Sequence, residues 1–353
     1  MNHVKLDPAR ARQQIDRRRN NADSANCESN RRVHHRHSPH TLIFQSGRMR
    51  LLHFNATTRR RLHTPLLICY ALVNRPYILD LSRQRSMIAR LQDQGIDVYL
   101  IDWGTPQRSD RYLSLDDYLD EKLDLCVEQA CRHSQRSKVN LMGVCQGGVL
   151  SLCYSLAFAH RVRNLITLVT PFDTDPHHFR LNRLSRHIDT GLAQTTYGNL
   201  PGPLLNEFFT QLQPLQLTAG KRLSAHAHLS GDNAEHFLLM EQWLQDCPDL
   251  AGTALEEFVQ LFFRDNALMD PQGFSICGQT HRLAALQPPL LNLYGTEDTL
   301  VPPQSTTAAR QLLQGKDYTE LALKAGHIGM LNGRRALEEL PATIAAWLRV
   351  RDE

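Results

Sequence analysis

The chain has 353 residues, 42% of them hydrophobic and 22% charged, the balance of a globular protein with one substantial core and room for an insertion. No run of ~20 apolar residues and no opening sequence of charged, apolar and cleavage-site segments occurs, so neither a transmembrane segment nor a secretory signal is expected and the protein is placed in the cytoplasm. The net charge of +4 is uneven: residues 1–63 carry 14 Lys+Arg against 4 Asp+Glu, leaving 26 against 32 for the rest.

Residues 1–40 hold few apolar side chains and many arginines, asparagines and histidines, too little burial to offset the entropy of ordering, and are expected to form a basic, disordered tail. No aromatic residue interleaves the arginines there, which argues against a nucleic-acid arm, and no nucleic-acid partner is expected. Eight cysteines form no CxxC pair and mostly lie in apolar runs, arguing against disulfides and against a zinc site.

From residue 41, short apolar runs alternate with longer helical patterns, the signature of βαβ units and a mostly parallel sheet, so the fold class is α/β. Strands are predicted at Leu66–Leu72, Val98–Asp102, Val139–Met142 and Leu165–Val169, then at Leu290–Tyr294 and Tyr318–Leu323. Helices are predicted at Asp80–Gln94, at Leu115–His133 with Ser114 as N-cap and Asp117 three residues on, and at Arg334–Val350. Over residues 172–269 the alternation gives way to helical stretches and loops rich in Gly, Pro and Gln. This reads as a cap inserted between two core segments, 41–171 and 270–353.

Between the strand at Val139 and a helix-like stretch from Val149 to Ala159 the chain spells GVCQGG, Gly143 to Gly148. This is the pattern of a nucleophile elbow with Cys145 at its apex. The sharp strand-to-helix turn exposes the central side chain, and small neighbours let backbone approach without a Cβ clash. The backbone N–H of Gln146 then points into the same space as half of an oxyanion hole. The competing reading, a buried cysteine in a phosphate-binding glycine turn, is decided by residues downstream.

In an α/β-hydrolase the nucleophile, acid and histidine follow in that order, each at the carboxyl end of a strand. Asp298 in YGTEDTLVPP and His327 in KAGHIGML meet both conditions. Asp102, at the end of an earlier strand, is the rival acid; it precedes the elbow and carries less weight. An imidazole within hydrogen-bond reach would draw the proton from the Cys145 thiol, which is otherwise only a few per cent thiolate at neutral pH. Thiolate attack suits acyl transfer from a thioester, leaving water or an alcohol as the second nucleophile. The fold expectation is an α/β-hydrolase core with an inserted cap.

The blocks PLLICYALVNRPYILDL, VYLIDWG, DRYLSLDDYLD, VNLMGVCQGG, LVTPFD, GNLPG, EQWLQDCPDLAG, YGTEDTLVPP and GHIG, in this order from about Pro65 to Leu348, resemble the catalytic C subunit of class III polyhydroxyalkanoate (PHA) synthases. The resemblance implies a polymerase that takes 3-hydroxyacyl-CoA, with 3-hydroxybutyryl-CoA the expected substrate, and releases CoA. It needs no cofactor, since CoA is only the leaving group. It implies that Cys145 carries the growing polyester, that His327 deprotonates it, and that Asp298 helps activate the substrate 3-hydroxyl. By matching the VNRP loop, it implies that the backbone N–H of Val73 joins that of Gln146 in the oxyanion hole. It also implies a separate E-type subunit as partner, a homodimer as a further assembly, and residence at the surface of PHA granules. Two departures stand out: Thr299 occupies the position after the aspartate where many relatives have histidine, and LKAG precedes His327 where a proline and paired glycines are common. The other readings are a cysteine hydrolase on the same fold, either depolymerase or thioesterase, and a granule-associated binding protein with a decayed site.

Overall fold

The structure, a computed structural model, describes residues 37–59, 61–175, 177–212 and 232–352. Of the tail expected over residues 1–40, all but the last four residues lie outside that range.

Eight strands make one sheet: β1 (Thr41–Ser46), β2 (Met49–Phe54), β3 (Leu66–Cys69), β4 (Val98–Asp102), β5 (Val139–Val144), β6 (Val162–Leu168), β7 (Leu290–Gly295) and β8 (Tyr318–Leu323). Their order across the sheet is β1-β2-β4-β3-β5-β6-β7-β8. β1 and β2 form an antiparallel hairpin, and β2 is antiparallel to β4. From β4 to β8 every pairing is parallel. β3 and β5 are buried along their whole length, as continuous apolar runs in a sheet covered on both faces should be.

Alternation within β3 shows how the two faces are filled. Leu67 and Cys69 enter one apolar cluster with Val127 of α2 (Asp124–Ser134) and Leu152 of α3 (Gln146–Ala157). Leu66 and Ile68 enter the other with Ile88 and Leu91 of α1 (Met87–Asp93) and Leu340 and Ile344 of α4 (Arg334–Arg349).

The helix predicted over Asp80–Gln94 is a correction. Its first half is instead a small antiparallel pairing of Asp80–Ser82 with Arg85–Ser86, and α1 starts only at Met87. The buried Asp80 carboxylate decides this, because it accepts from Ser38 N (2.7 Å), Ser38 Oγ (2.8 Å) and Ser86 Oγ (2.6 Å). Ser86 Oγ in turn accepts from Ala89 N at 2.8 Å and caps the helix. The strand predicted to Leu72 stops at Cys69, beyond which the chain leaves the sheet as a loop. The Ser114 cap is present: its amide donates to Asp117 Oδ2 (2.7 Å) and Asp117 N donates to Ser114 Oγ (3.1 Å). The helix behind it runs through a π-helical stretch, Asp117–Leu123, before α2. The hairpin β1–β2 has no counterpart in the sequence-based expectations.

Between β6 and β7 the described chain is largely helical, with helices at Arg180–Ser185, Thr190–Tyr197, Gly202–Leu212, Asp232–Gln245 and Gly252–Phe258. Phe258 and Phe262 join the first apolar cluster, and Trp243, only 1% exposed, joins the second. This segment is thereby packed onto the sheet from both sides of the strand ends.

Candidate active site

β5 ends at Val144 and α3 begins at Gln146, so the whole reversal falls on Cys145, with φ 54° and ψ −120°. Its N–H donates to Leu168 O of β6 at 2.9 Å, and its carbonyl accepts from Gly148 N at 2.9 Å. The glycines around it are required by contact. A Cβ on Gly147 would stand 2.2 Å from the Cys69 carbonyl oxygen, one on Gly148 1.8 Å from Thr170 Oγ1, and one on Gly143 2.4 Å from the Gly148 Cα.

Asp298 follows β7 and His327 follows β8, and the two meet. His327 Nδ1 donates to Asp298 Oδ2 at 2.7 Å, while Asp298 Oδ1 accepts from the amides of Leu300 and Val301, both at 2.9 Å. The aspartate is 4% exposed and the histidine 8%. With Nδ1 committed to the carboxylate, Nε2 is the ring nitrogen left for Cys145, whose side chain is hydrogen-bonded to His327. Burial pulls the imidazole pKa down, but the Asp298 charge, then the Cys145 sulfur and the hydrogen bonds to both, outweigh it and raise it to about 10. A charged imidazole therefore stands beside the sulfur at neutral pH.

Cys145 is half-buried, whereas Cys69, Cys126 and Cys153 are fully enclosed. Burial pushes the Cys69 and Cys277 thiols up to about 12 and that of Cys247 to about 11. The rival acid Asp102 is engaged elsewhere: Oδ2 accepts from Arg50 Nη2 (2.8 Å) and Oδ1 from Gly104 N (3.1 Å).

Gln146 lies at the first turn of α3, where helix N–H groups lack intrahelical acceptors. Val73 lies in the loop after β3, and its N–H has no acceptor among the described residues. That loop is held by side chains the sequence did not single out. Trp103 Nε1 donates to Tyr70 O (2.9 Å), and Leu72 N donates to the Gln146 side-chain oxygen (3.0 Å). On the other side, Trp243 Nε1 donates to Arg75 O (2.7 Å), and the Arg75 guanidinium reaches Asp246 Oδ1 (3.2 Å) and Thr105 Oγ1 (2.8 Å). The available signals were two tryptophans inside the ordered blocks VYLIDWG and EQWLQDCPDLAG.

A family model described as alpha/beta hydrolase fold matches residues 64–333, and one described as the N-terminus of poly-beta-hydroxybutyrate polymerase (PhaC) matches residues 14–91. The second reaches into the arginine-rich segment upstream of Pro65, where no motif resemblance was found. Among characterised relatives, the poly(3-hydroxyalkanoate) polymerase subunit PhaC of Allochromatium vinosum is 42% identical over 288 residues, covering 81% of each chain. The subunit of the same name from Synechocystis is 40% identical over 323 residues, 89% of this chain and 85% of its own. Among solved structures, a thermophilic esterase from Thermogutta terrifontis superposes with TM-score 0.55 at 16% identity, covering 90% of this chain and all of its own, a likeness of fold. The elbow, the strand order and these alignments converge: the chain belongs to the PhaC family of poly(3-hydroxyalkanoate) polymerase subunits, built on the α/β-hydrolase fold.

Proposed function

We propose that this chain polymerises (R)-3-hydroxyacyl-CoA, in the first place 3-hydroxybutyryl-CoA, into polyhydroxyalkanoate, as the C subunit of a class III synthase. The observation that carries the reading is the half-buried Cys145 at a strained elbow, hydrogen-bonded to an imidazole that Asp298 keeps charged.

The thiolate attacks the thioester carbonyl, and the developing oxyanion is met by the N–H groups of Gln146 and Val73. The C–S bond to CoA breaks, the CoA sulfur takes the His327 proton, and the acyl group remains on Cys145. The now neutral His327, oriented by Asp298, accepts the proton of the 3-hydroxyl of an incoming 3-hydroxyacyl-CoA as that oxygen attacks the acyl carbonyl; the C–S bond to Cys145 breaks, and the thiolate is restored beside the charged imidazole. Exchange of one thioester for another costs little free energy, which suits a cysteine at this position better than ester hydrolysis would. The segment between β6 and β7 covers the site and shields the acyl-enzyme from water. An E-type subunit, a homodimer and a place at the granule surface belong to the same reading. Among the described residues no helix is long and apolar enough to cross a membrane.

The test is CoA release from 3-hydroxybutyryl-CoA, with and without an E-type subunit, followed by product analysis. Insoluble polyester from the wild type and none from Cys145→Ala are expected. Free hydroxy acid as the sole product would make the chain a hydrolase, and undiminished CoA release by Cys145→Ala would remove the mechanism.

A further inference from the structure

A cavity of about 250 Å³ opens where the Asp80–Ser86 hairpin, the first half of the Asp232–Gln245 helix and the start of α4 come together. Three arginines line it: Arg85, Arg90 and Arg334. Glu235, Glu338 and His236 share the walls. Although two carboxylates are this near, none of the three arginines forms an ion pair among the described residues; Arg85 Nη1 donates only to the Asn332 carbonyl, at 3.1 Å. His236 has a buried Nδ1 without a hydrogen-bond partner. Burial, then the charge of Arg334, draws Arg85 below the ordinary guanidinium range, and burial, then Arg85 and Arg334, draws His236 below the ordinary imidazole range. These like charges are crowded in a partly enclosed space, and a multivalent anion would relieve the crowding. α4 adds to the field without making the site: Gly333 caps it with no side chain, and no acidic residue occupies its first turn.

The chain segment after His327 leads to the cavity: the Asn332 carbonyl accepts from Arg85, and Arg334 follows two residues later. Leu239, Met240 and Leu244 of the Asp232–Gln245 helix pack in the same apolar cluster as Cys145, Ala325 and Ile328. Asn332, five residues past His327, meets Met240 Sδ through its side-chain amide at 3.0 Å. From Leu244 back to His236 the helix rises about 12 Å, at ~1.5 Å per residue. The Asp232–Gln245 helix and the segment from His327 to Arg334 thus meet at Asn332, and both reach the cavity, through His236 and Arg334. An acyl-CoA would need such a span, because its thioester and its phosphate groups stand at opposite ends of a long, uncharged pantetheine arm.

We infer that Arg85, Arg90 and Arg334 form the subsite for the phosphate groups of the acyl-CoA, with the pantetheine arm lying along the seam between the Asp232–Gln245 helix and the His327–Arg334 segment. The inference rests on the polymerase reading above. Guanidinium forks suit phosphate oxygens, and each charge-assisted pair lost should be felt mainly in substrate affinity.

The test compares two thioesters with the full chain and an E-type subunit: 3-hydroxybutyryl-CoA and 3-hydroxybutyryl-N-acetylcysteamine, which lacks every phosphate. The double variant Arg85→Gln/Arg334→Gln should lower the preference for the CoA substrate, measured as the ratio of the two kcat/KM values, by about tenfold or more, chiefly through KM. Arg90→Gln, a single change, should lower it in the same direction by less. Titration of adenosine 3′,5′-bisphosphate should show binding to the wild type and its loss in the double variant. An unchanged ratio, or an equal fall on both thioesters, overturns the assignment. So does binding of inorganic phosphate at these arginines with the ratio unmoved, which would mark a general anion site. If the wild type turns over neither thioester, the polymerase reading fails, and the bisphosphate titration still decides the cavity.

Discussion

Replacing Asp298 by asparagine removes one negative charge at 2.7 Å from His327 Nδ1 and keeps the size of the group. Unit charges at 3–4 Å interact by roughly 4–6 kcal/mol at an effective dielectric near 20, and one pH unit corresponds to about 1.4 kcal/mol. Against burial, the carboxylate is therefore the main charge behind the rise of the imidazole from 6.5 to about 10, with the Cys145 sulfur and the hydrogen bonds to both adding to it. Without it the burial that opposes protonation remains, so the imidazole of Asp298→Asn should be neutral at pH 7 and the sulfur should lose its counter-charge. Carbamidomethylation of Cys145, followed by peptide mapping from pH 5 to pH 10, reads this directly. Wild-type Cys145 should be labelled several times faster at neutral pH than Cys145 of the variant, which no longer has a charged imidazole beside it. Cys69, Cys247 and Cys277, pushed to about 11 or 12 by burial, should label little across most of the range. Asp102→Asn, whose carboxylate is engaged with Arg50 and Gly104 rather than with His327, should leave the profile in place. Coincident profiles for wild type and Asp298→Asn, or an equal displacement by Asp102→Asn, would refute the reasoning.

The same shift links stability to pH. Native His327 holds its proton more tightly than the unfolded chain does, so its contribution is complete below about pH 6.5 and fades as pH rises towards about 10. Urea midpoints at pH 6.5 and 9.5 should fall for the wild type by more than for Asp298→Asn, with a difference of a few kcal/mol. Gln146→Leu leaves the buried Leu72 N–H without its acceptor, at a cost of about 1–3 kcal/mol, and frees the loop that carries Val73. Its turnover should drop roughly ten- to a hundredfold while Cys145 labelling keeps the wild-type pH profile. Gly147→Ala drives a methyl group to 2.2 Å from the Cys69 carbonyl, and chemical denaturation should show a loss of about 1–3 kcal/mol or more, or no soluble protein.

The parts of the fold legible in the sequence are those where a local pattern has a single physical meaning. Runs such as Leu66–Cys69 and Val98–Asp102 have no polar side to face water before the final residue of each, so they belong in a sheet covered on both faces. The elbow was legible because two neighbouring glycines behind a cysteine, between an apolar strand and a helical stretch, leave few other uses for that turn. The start of α1 was not legible. Asp80 is removed from a helix by Ser38 and Ser86, and no periodicity of the intervening residues records those bonds. The β1–β2 hairpin was missed because MRLLHF lacks alternation: both faces of β2 are covered, Met49 and Leu51 entering one apolar cluster and Leu52 and Phe54 the other, and only Gly47 at φ 57° marks the turn. The clamp on the loop after β3 pairs indole N–H groups with main-chain carbonyls far away in sequence. A tryptophan's partner of that kind leaves no trace in the residues around it.

The backbone strain shows how the site is kept in shape. Six described non-glycine residues have positive φ: Asn74, Gln135, Cys145, Val169, Asn266 and Cys277. Three of them, Asn74, Cys145 and Val169, follow β3, β5 and β6, which are neighbours in the sheet, and all stand at its carboxyl edge. Val169 is β-branched, the residue shape least suited to that region, and each such conformation costs on the order of 1–3 kcal/mol. None of the three can relax alone. The Val169 amide is bonded to Leu293 O of β7 and the Cys145 amide to Leu168 O of β6, both at 2.9 Å, while the Asn74 amide is bonded to the Cys247 sulfur. Thr170, turned inward after Val169, fills the space that the missing Cβ of Gly148 leaves open, and its carbonyl accepts from Thr306 Oγ1 at 3.0 Å. Relaxing any one of these residues would break a bond to the adjacent strand or to the segment between β6 and β7 and displace the next. The sulfur and the loop bearing Val73 are therefore held by the sheet, and on the proposed mechanism little reorganisation is left for the moment when charge develops on the carbonyl oxygen.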